Sequence, residues 1–376
     1  MLTRRDFMWL ATAQSTMCLR AQTGAHVDVA ALEREHILAS AKAALATGPY
    51  VPHAPSAREG SALFSEITPN DGERTDDYRD IAEQVRLTSA SIAALVAAYL
   101  LTRDEAYAEH AGKFLRVWLL ESDTRMSPHM DFAGVLPGTR QQTRDCVLDL
   151  VPIAEAARAW SFLADTAALS KTEQSGIAAW FSELLDWMLS ATEARLARDS
   201  KDRHGSAWLL VTTAVARATR NEKQLDLCRL LFKKPTIRNQ ITADGHFPQE
   251  LATPNPYRNT LFNFDMLAGA CQLLSSPFDD LWNYELQDGP GMRSAAAFLA
   301  PLIRERQHWP FVSDTAHFRD LPGRRAGLLF AARAYSRPEY LQAYTSAPAM
   351  PPPADLAYSF PITQPLLWTA RAPHGL

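Results

Sequence analysis

Apolar residues recur at three- and four-residue spacing along most of the chain, the pattern of helices with one buried face. The clearest stretch is Asp77 to Leu101, where Ile81, Val85, Ile92, Leu95, Val96 and Tyr99 share a face. A second stripe carries Tyr107, Ala111, Phe114, Leu115, Trp118 and Leu119 and starts after a capping sequence, Thr102 to Glu105. In a third, Ile177, Trp180, Phe181, Leu184, Leu185, Met188 and Leu189 follow Ser170-Lys171-Thr172-Glu173, which has the Ser-x-x-Glu spacing of a capping box. Weaker helical patterns cover Ala30–Ala46, Cys146–Leu163, Ala207–Ala218, Gln224–Phe232, Leu261–Leu274, Met292–Ile303 and Ala326–Tyr335. Period-two runs long enough for strands are nearly absent. So many helices without a sheet must bury their stripes against one another, as a bundle or as a ring of helical hairpins, and the all-α class follows.

Two long irregular segments, Pro52 to Thr75 and Ser127 to Thr143, interrupt this rhythm. Loops of that length on a compact scaffold are often held over a cleft. Two polar stretches, Asp199 to Ser206 and Thr242 to Asn259, gather histidine, arginine, tyrosine and acidic residues.

Composition narrows the functions open to such a scaffold. With 376 residues, 47% of them hydrophobic, the chain can bury a large core. Its net charge of -4 gives no overall positive field for phosphate backbones or anionic lipid, which argues against a nucleic-acid partner. Four widely spaced cysteines, Cys18, Cys146, Cys228 and Cys271, have no zinc-site spacing and are expected as unpaired core residues. His246, His308 and His317 lack the spacing of a helical metal site, and no metal or organic cofactor is expected.

At the amino terminus Arg4-Arg5-Asp6-Phe7 precedes a short apolar run, Trp9 to Leu19, and then small residues up to Ala25. Basic, apolar and cleavable segments in that order read as an export signal of the twin-arginine type over residues 1–25. The expected mature protein is then one domain, residues 26–376, in the periplasm or secreted. No later run reaches the roughly eighteen uninterrupted apolar residues of a membrane span, so no integral membrane association is expected.

From Asn70 to Pro310 a series of short motifs runs along the chain. Asn70-Asp71-Gly72-Glu73-Arg74 comes first, then Ser127-Pro128 through Phe132-Ala133 to Pro137-Gly138, then Arg203-His204-Gly205-Ser206-Ala207-Trp208 and Asp244-Gly245-His246-Phe247-Pro248-Gln249-Glu250-Leu251. Leu261 to Phe264, Asp280-Leu281-Trp282 and Trp309-Pro310-Phe311 follow. In this order the strings resemble the alginate lyase family: the second is similar to its Asn-Pro-x-x-x-Tyr-Ala-Gln-x-x-Pro-Gly loop, the third to Asn-Asn-His-Gly-Thr-Trp and the fourth to Asp-Gly-x-x-Pro-x-Glu-Leu. The resemblance implies an incomplete (α/α) toroid built from helical hairpins. It also implies β-elimination on a uronate polymer, with an acidic polysaccharide or oligosaccharide as partner and no cofactor. In that reaction a base removes the proton beside the sugar carboxylate, positive groups neutralise the carboxylate, and an acid protonates the departing oxygen.

Carried over by position, His204 stands at the family's catalytic histidine. Arg203 replaces the neighbouring asparagine, Thr253 an arginine, and Asn259 the tyrosine of proton transfer. Local substitution would keep the chemistry with His204 as base or carboxylate contact, Arg203 as neutraliser and Tyr257 as acid. Arginine suits the neutralising role, because it stays charged and grips carboxylates bidentately. Arg258, Arg144, Arg140, Trp208 and Asn259 are the candidate substrate contacts. The alternatives are a glycoside hydrolase using Glu250 and Asp202 as paired carboxylates, or a sugar-binding relative without turnover.

Overall fold

A computed structural model describes residues 27–49, 74–130, 144–164, 166–315, 317–319, 321, 324–347 and 354–372. Residues 1–25, read from sequence as an export signal, Cys18, Arg140 and most of both long irregular segments lie outside them. Among the described residues there are no strands. Among the described residues eleven helices of eight or more residues form the body: α1 (Arg34–Leu45), α2 (Arg74–Thr102), α3 (Glu105–Leu119), α4 (Ile153–Leu163), α5 (Lys171–Ser190), α6 (Arg203–Ala218), α7 (Glu222–Leu231), α8 (Pro256–Leu274), α9 (Met292–Arg304), α10 (Ala326–Tyr335) and α11 (Pro338–Thr345).

The capping chemistry works as the sequence predicts. Asp104 accepts the Ala106 backbone N–H at the start of α3, and Ser170 and Glu173 form the reciprocal capping box of α5. Proline redraws other boundaries. Cys146–Leu163 is read from sequence as one helix, but it is a short turn, Cys146–Asp149, and then α4, divided at Pro152. The helix expected to end at Phe232 continues from α7 through a wider π-type turn, Phe232–Thr236, which contains Pro235. Because proline has no N–H to complete the regular ladder, the chain widens there before resuming at Ile237–Gln240. Two helices begin earlier than their apolar stripes, α6 at Arg203 and α8 at Pro256.

The order of packing gives an incomplete (α/α) toroid. Helices α2, α4, α6, α8 and α10 pack side by side in an inner row, with α3, α5, α7 and α11 returning on the outside. Alternation of inner and outer helices makes the inner ones parallel, so their N-termini gather at one end. At the two extremes of the row stand α2 and α10, and the C-terminal turn Pro365–Thr369 docks on α2, α4 and α8.

The inner helices are buried on nearly every side; in α6 every residue from His204 to Ala216 is buried. The segment Ala82–Thr102 of α2 has a mean hydropathy of 1.6, long and apolar enough to cross a membrane by composition alone. Here α2 packs against α1, α3 and α4. Cys146, Cys228 and Cys271 are buried, acting as small core residues.

Candidate functional site

The site is built on the first turn of α6. Asp202 is its N-cap, with Oδ1 accepting the His204 backbone N–H at 3.1 Å and also facing His204 Nδ1 at 2.9 Å. One carboxylate oxygen thus starts the helix and fixes the imidazole. Gly205 makes the tight start possible, since a Cβ there would stand 2.5 Å from the Ser200 carbonyl oxygen. On the other side of the ring, Nε2 lies 2.8 Å from Asp145 Oδ1. His204 is only 3% exposed, whereas the Asp145 side chain is 65% exposed. The imidazole is therefore a buried bridge between a capping carboxylate and a solvent-facing one.

These contacts set its protonation. Burial alone would lower the His204 pKa, but the hydrogen bonds to Asp145 and Asp202 reverse this and raise it above the usual histidine value. For Asp202, burial pushes upward, and the hydrogen bonds and charge of His204, helped by Arg144, bring its pKa down to about 2. Asp202 is thus a fixed anion, and it holds the Nδ1–H tautomer so that Nε2 is the nitrogen whose proton can change. Arg144 extends the array outward, donating to Ser200 Oγ at 2.7 Å and Asp202 Oδ2 at 3.1 Å.

Beneath this layer lies a second one. Glu250, on the short turn Pro248–Leu251, is fully buried and accepts the Arg203 backbone N–H at 2.6 Å and Arg203 Nη1 at 3.2 Å. Asn263 Nδ2 donates to the same carboxylate at 3.0 Å and to Gln240 Oε1 at 2.7 Å. Burial raises the Glu250 pKa, and the Arg203 charge offsets part of that rise. Glu250 therefore clamps the first turn of α6 to α8, and Arg203, one quarter exposed, presents the rest of its guanidinium at the surface. The positive groups of this layer are each met by a carboxylate, Arg203 by Glu250, Arg144 by Asp202, and His204 by Asp145 and Asp202, and the exposed quarter of Arg203 is the part that can meet a further carboxylate.

The remaining sequence candidates lie elsewhere. Tyr257 is buried, with its hydroxyl donating to the Leu302 carbonyl at 3.3 Å and its ring packed edge-on against Trp309 and Phe318. The structure does not bring it into the His204 cluster, because Asp314 caps the start of α8 through the Tyr257 and Arg258 backbone N–H groups and the Tyr257 ring enters the wall. Trp208 is 1% exposed and donates Nε1–H to the Met188 carbonyl, so it belongs to the core between α5 and α6 and offers no stacking face.

Asn259 Nδ2 donates to Thr253 Oγ1 at 2.9 Å. Two of the three substituted family positions are thus bonded to one another. Arg258 lies over the Tyr358 ring, its guanidinium carbon 5.3 Å from the centroid. Asp145 was not a sequence candidate. Its one available signal is its place beside Arg144 at the end of a long loop, since its partner is 59 residues away. Among the described residues no group of three His, Cys, Asp or Glu side chains is arranged to hold a metal ion.

The inner helical row is thus an incomplete toroid that carries a histidine and an arginine at the N-terminus of one helix, α6. The alginate lyase family profile matches residues 21–309, and the chain belongs to that family. It is a polysaccharide lyase by membership. No curated protein sequence matches it. Among solved structures it is similar to an alginate lyase from Bacteroides ovatus, with a TM-score of 0.73 and 23% identity over 89% of this chain and 92% of that one. It is also similar to alginate lyase A1-III from Sphingomonas species A1, with a TM-score of 0.53 and 15% identity over 76% of each chain. A complex of A1-III with a tetrasaccharide matches at the same TM-score and 14% identity, over 82% of this chain and 85% of that one. At these identities the likeness is one of fold.

Proposed function

We propose that the protein cleaves a uronate-containing polysaccharide or oligosaccharide by β-elimination at the N-terminus of α6, with His204 as the proton-handling residue. The observation that carries this is the bridge Asp202, His204, Asp145: one carboxylate fixes the tautomer from below, and the other faces solvent at Nε2. The sugar carboxylate lies against the exposed part of Arg203, which takes up charge as the carbon beside the carboxylate loses its proton. His204 Nε2, in the deprotonated couple with Asp145, accepts that proton. The carbon-oxygen bond at the neighbouring ring carbon then breaks, and a carbon-carbon double bond forms.

Since the Tyr257 hydroxyl is committed to Leu302, the His204 and Asp145 couple returns the proton to the departing glycosidic oxygen. One residue can serve both steps where the proton and the leaving oxygen share a face of the ring. We expect the exported, periplasmic or secreted form to meet this substrate outside the cytoplasm.

Incubation with a panel of uronate polymers tests the reading through the ultraviolet absorbance of unsaturated uronate. The expected result is a rise on at least one polymer that is lost in His204→Ala and strongly reduced in Arg203→Ala. Full activity in His204→Ala would remove the basis of the proposal.

A further inference from the structure

Four buried polar side chains from four different elements meet behind the active-site turn: Ser206 on α6, Gln240 at the end of the turn Ile237–Gln240, Glu250 on the turn Pro248–Leu251, and Asn263 on α8. None is more than 2% exposed. Asn263 joins the other three. Its Nδ2 donates to Glu250 Oε1 at 3.0 Å and to Gln240 Oε1 at 2.7 Å, and its Oδ1 accepts the Ser206 hydroxyl at 2.5 Å. Both amide hydrogens and the carbonyl oxygen are therefore engaged. Every group around the Glu250 carboxylate is a donor, so Glu250 fixes which end of the Asn263 amide faces it, and Asn263 in turn presents a donor to Gln240.

The division of labour between the two Glu250 oxygens links this network to the reaction. Oε1 takes the Arg203 backbone N–H at 2.6 Å and Asn263 Nδ2, while Oε2 takes Arg203 Nη1 at 3.2 Å. With two donors converging on Oε1, rotation of the carboxylate about its last bond is blocked, and Oε2 stays turned to the guanidinium. Glu250 thus holds Arg203 through one nitrogen. A bidentate grip would use up a paired N–H edge of the kind that recognises carboxylates, whereas a grip on one nitrogen leaves such an edge for the sugar. One quarter of the Arg203 side chain remains exposed to present it.

We propose that Asn263 is a positioning residue for the elimination: by fixing the Glu250 carboxylate, it aims the remaining edge of Arg203 at the sugar carboxylate. The proposal rests on the elimination reading for the reaction and on the buried network for the residue. At 1% exposure Asn263 does not itself meet the substrate and acts through Glu250.

Two variants separate aiming from packing. Asn263→Leu removes the donor at nearly constant volume and is expected to lower kcat/KM on a uronate polymer about tenfold, the scale of one hydrogen bond to a charged group. Asn263→Asp puts a second carboxyl beside Glu250. Two carboxylates that close do not readily ionise together, so at lower pH the pair keeps one proton, and that proton replaces the lost donor. At higher pH the second charge repels Glu250 and draws Arg203 inward, away from the sugar. The other charged groups that face Glu250 are Arg203 and Asp202, and both variants retain them. The ratio of Asn263→Asp to native kcat/KM, in which the common titration of His204 largely divides out, is expected to fall about tenfold between about pH 6 and about pH 9, with unchanged helical circular dichroism.

A side chain that only packs would lower the folded fraction and leave this ratio flat. A flat ratio overturns the proposal, as does native kcat/KM in Asn263→Leu; if Asn263→Leu does not fold, the ratio decides alone. Calorimetric titration of His204→Ala with saturated uronate oligosaccharides reads the aim of Arg203 without turnover. Adding Asn263→Leu is expected to weaken that binding about tenfold, and equal binding overturns the proposal. Weakened binding in a protein that turns over no polymer defeats elimination and leaves the positioning of Arg203 standing. Turnover that is indifferent to both Asn263 variants defeats the positioning alone, and absence of both binding and turnover overturns both.

Discussion

Glu250→Ala isolates the clamp under the active site. In the native protein the Glu250 carboxylate, fully buried, receives the Arg203 backbone N–H at 2.6 Å, Arg203 Nη1 at 3.2 Å and Asn263 Nδ2 at 3.0 Å. Removing one partner of a buried ion pair costs about 3–5 kcal/mol, and each donor left without an acceptor about 1–3 kcal/mol. The Arg203 side chain is one quarter exposed and can recover water, which places the total near the lower end, about 3 kcal/mol. That lowers the ratio of folded to unfolded protein by roughly a hundredfold.

Glu250→Gln keeps the shape and one acceptor oxygen but turns an NH₂ group toward Arg203, so it should lose less than Glu250→Ala. Equilibrium urea unfolding followed by helical circular dichroism reads both. A loss below about 0.5 kcal/mol in Glu250→Ala, the range of ordinary surface substitutions, would refute the clamp. It would also return Glu250 to consideration as a catalytic carboxylate.

Three further predictions concern protonation and the buried tyrosine. Asp145 raises the His204 pKa, so the rising limb of the pH-rate profile lies above about pH 6.5, and Asp145→Asn should move it to lower pH; an unmoved limb in an active variant would detach Asp145 from the couple. The same raised pKa stabilises the fold fully below about pH 6.5, the value for unfolded histidine, and this contribution is lost as pH rises through the folded value. Urea midpoints should therefore fall over that interval in the native protein and stay flat there in His204→Gln. Tyr257→Phe removes the 3.3 Å contact to Leu302 together with the hydroxyl's interaction with Arg306, and should keep turnover within about twofold, at a stability cost of about 1 kcal/mol; a collapse of turnover in the folded variant would restore Tyr257 as the acid.

The helical architecture was legible because each inner helix needs a continuous buried stripe, and Ile92, Leu95, Phe181 and Leu184 show it at the right spacing. Caps such as Ser170 with Glu173 were legible because they are local, three residues apart. The active-site layer was legible only in part. His204 and Arg203 sit in a recognisable string, but what they touch is set by distant chain: Asp145 is 59 residues from His204, and Glu250 is 47 from Arg203. Tyr257 is the instructive case. Sequence places it two residues from the family's tyrosine position, but on a helix that separation turns a side chain to another face, here toward Trp309 and Phe318. The covering of Tyr358 by Arg258 joins segments 100 residues apart, and no local pattern marks it.

The central claim is that the bond at His204 is broken by elimination, without addition of water. Mass spectrometry of all products from a defined saturated uronate oligosaccharide measures this directly. Elimination predicts fragment masses that sum to the mass of the substrate, with one new chain end lighter by a water molecule than its saturated counterpart. Fragments that sum to substrate plus water, with only saturated ends, would contradict the account and show hydrolysis in the same cleft.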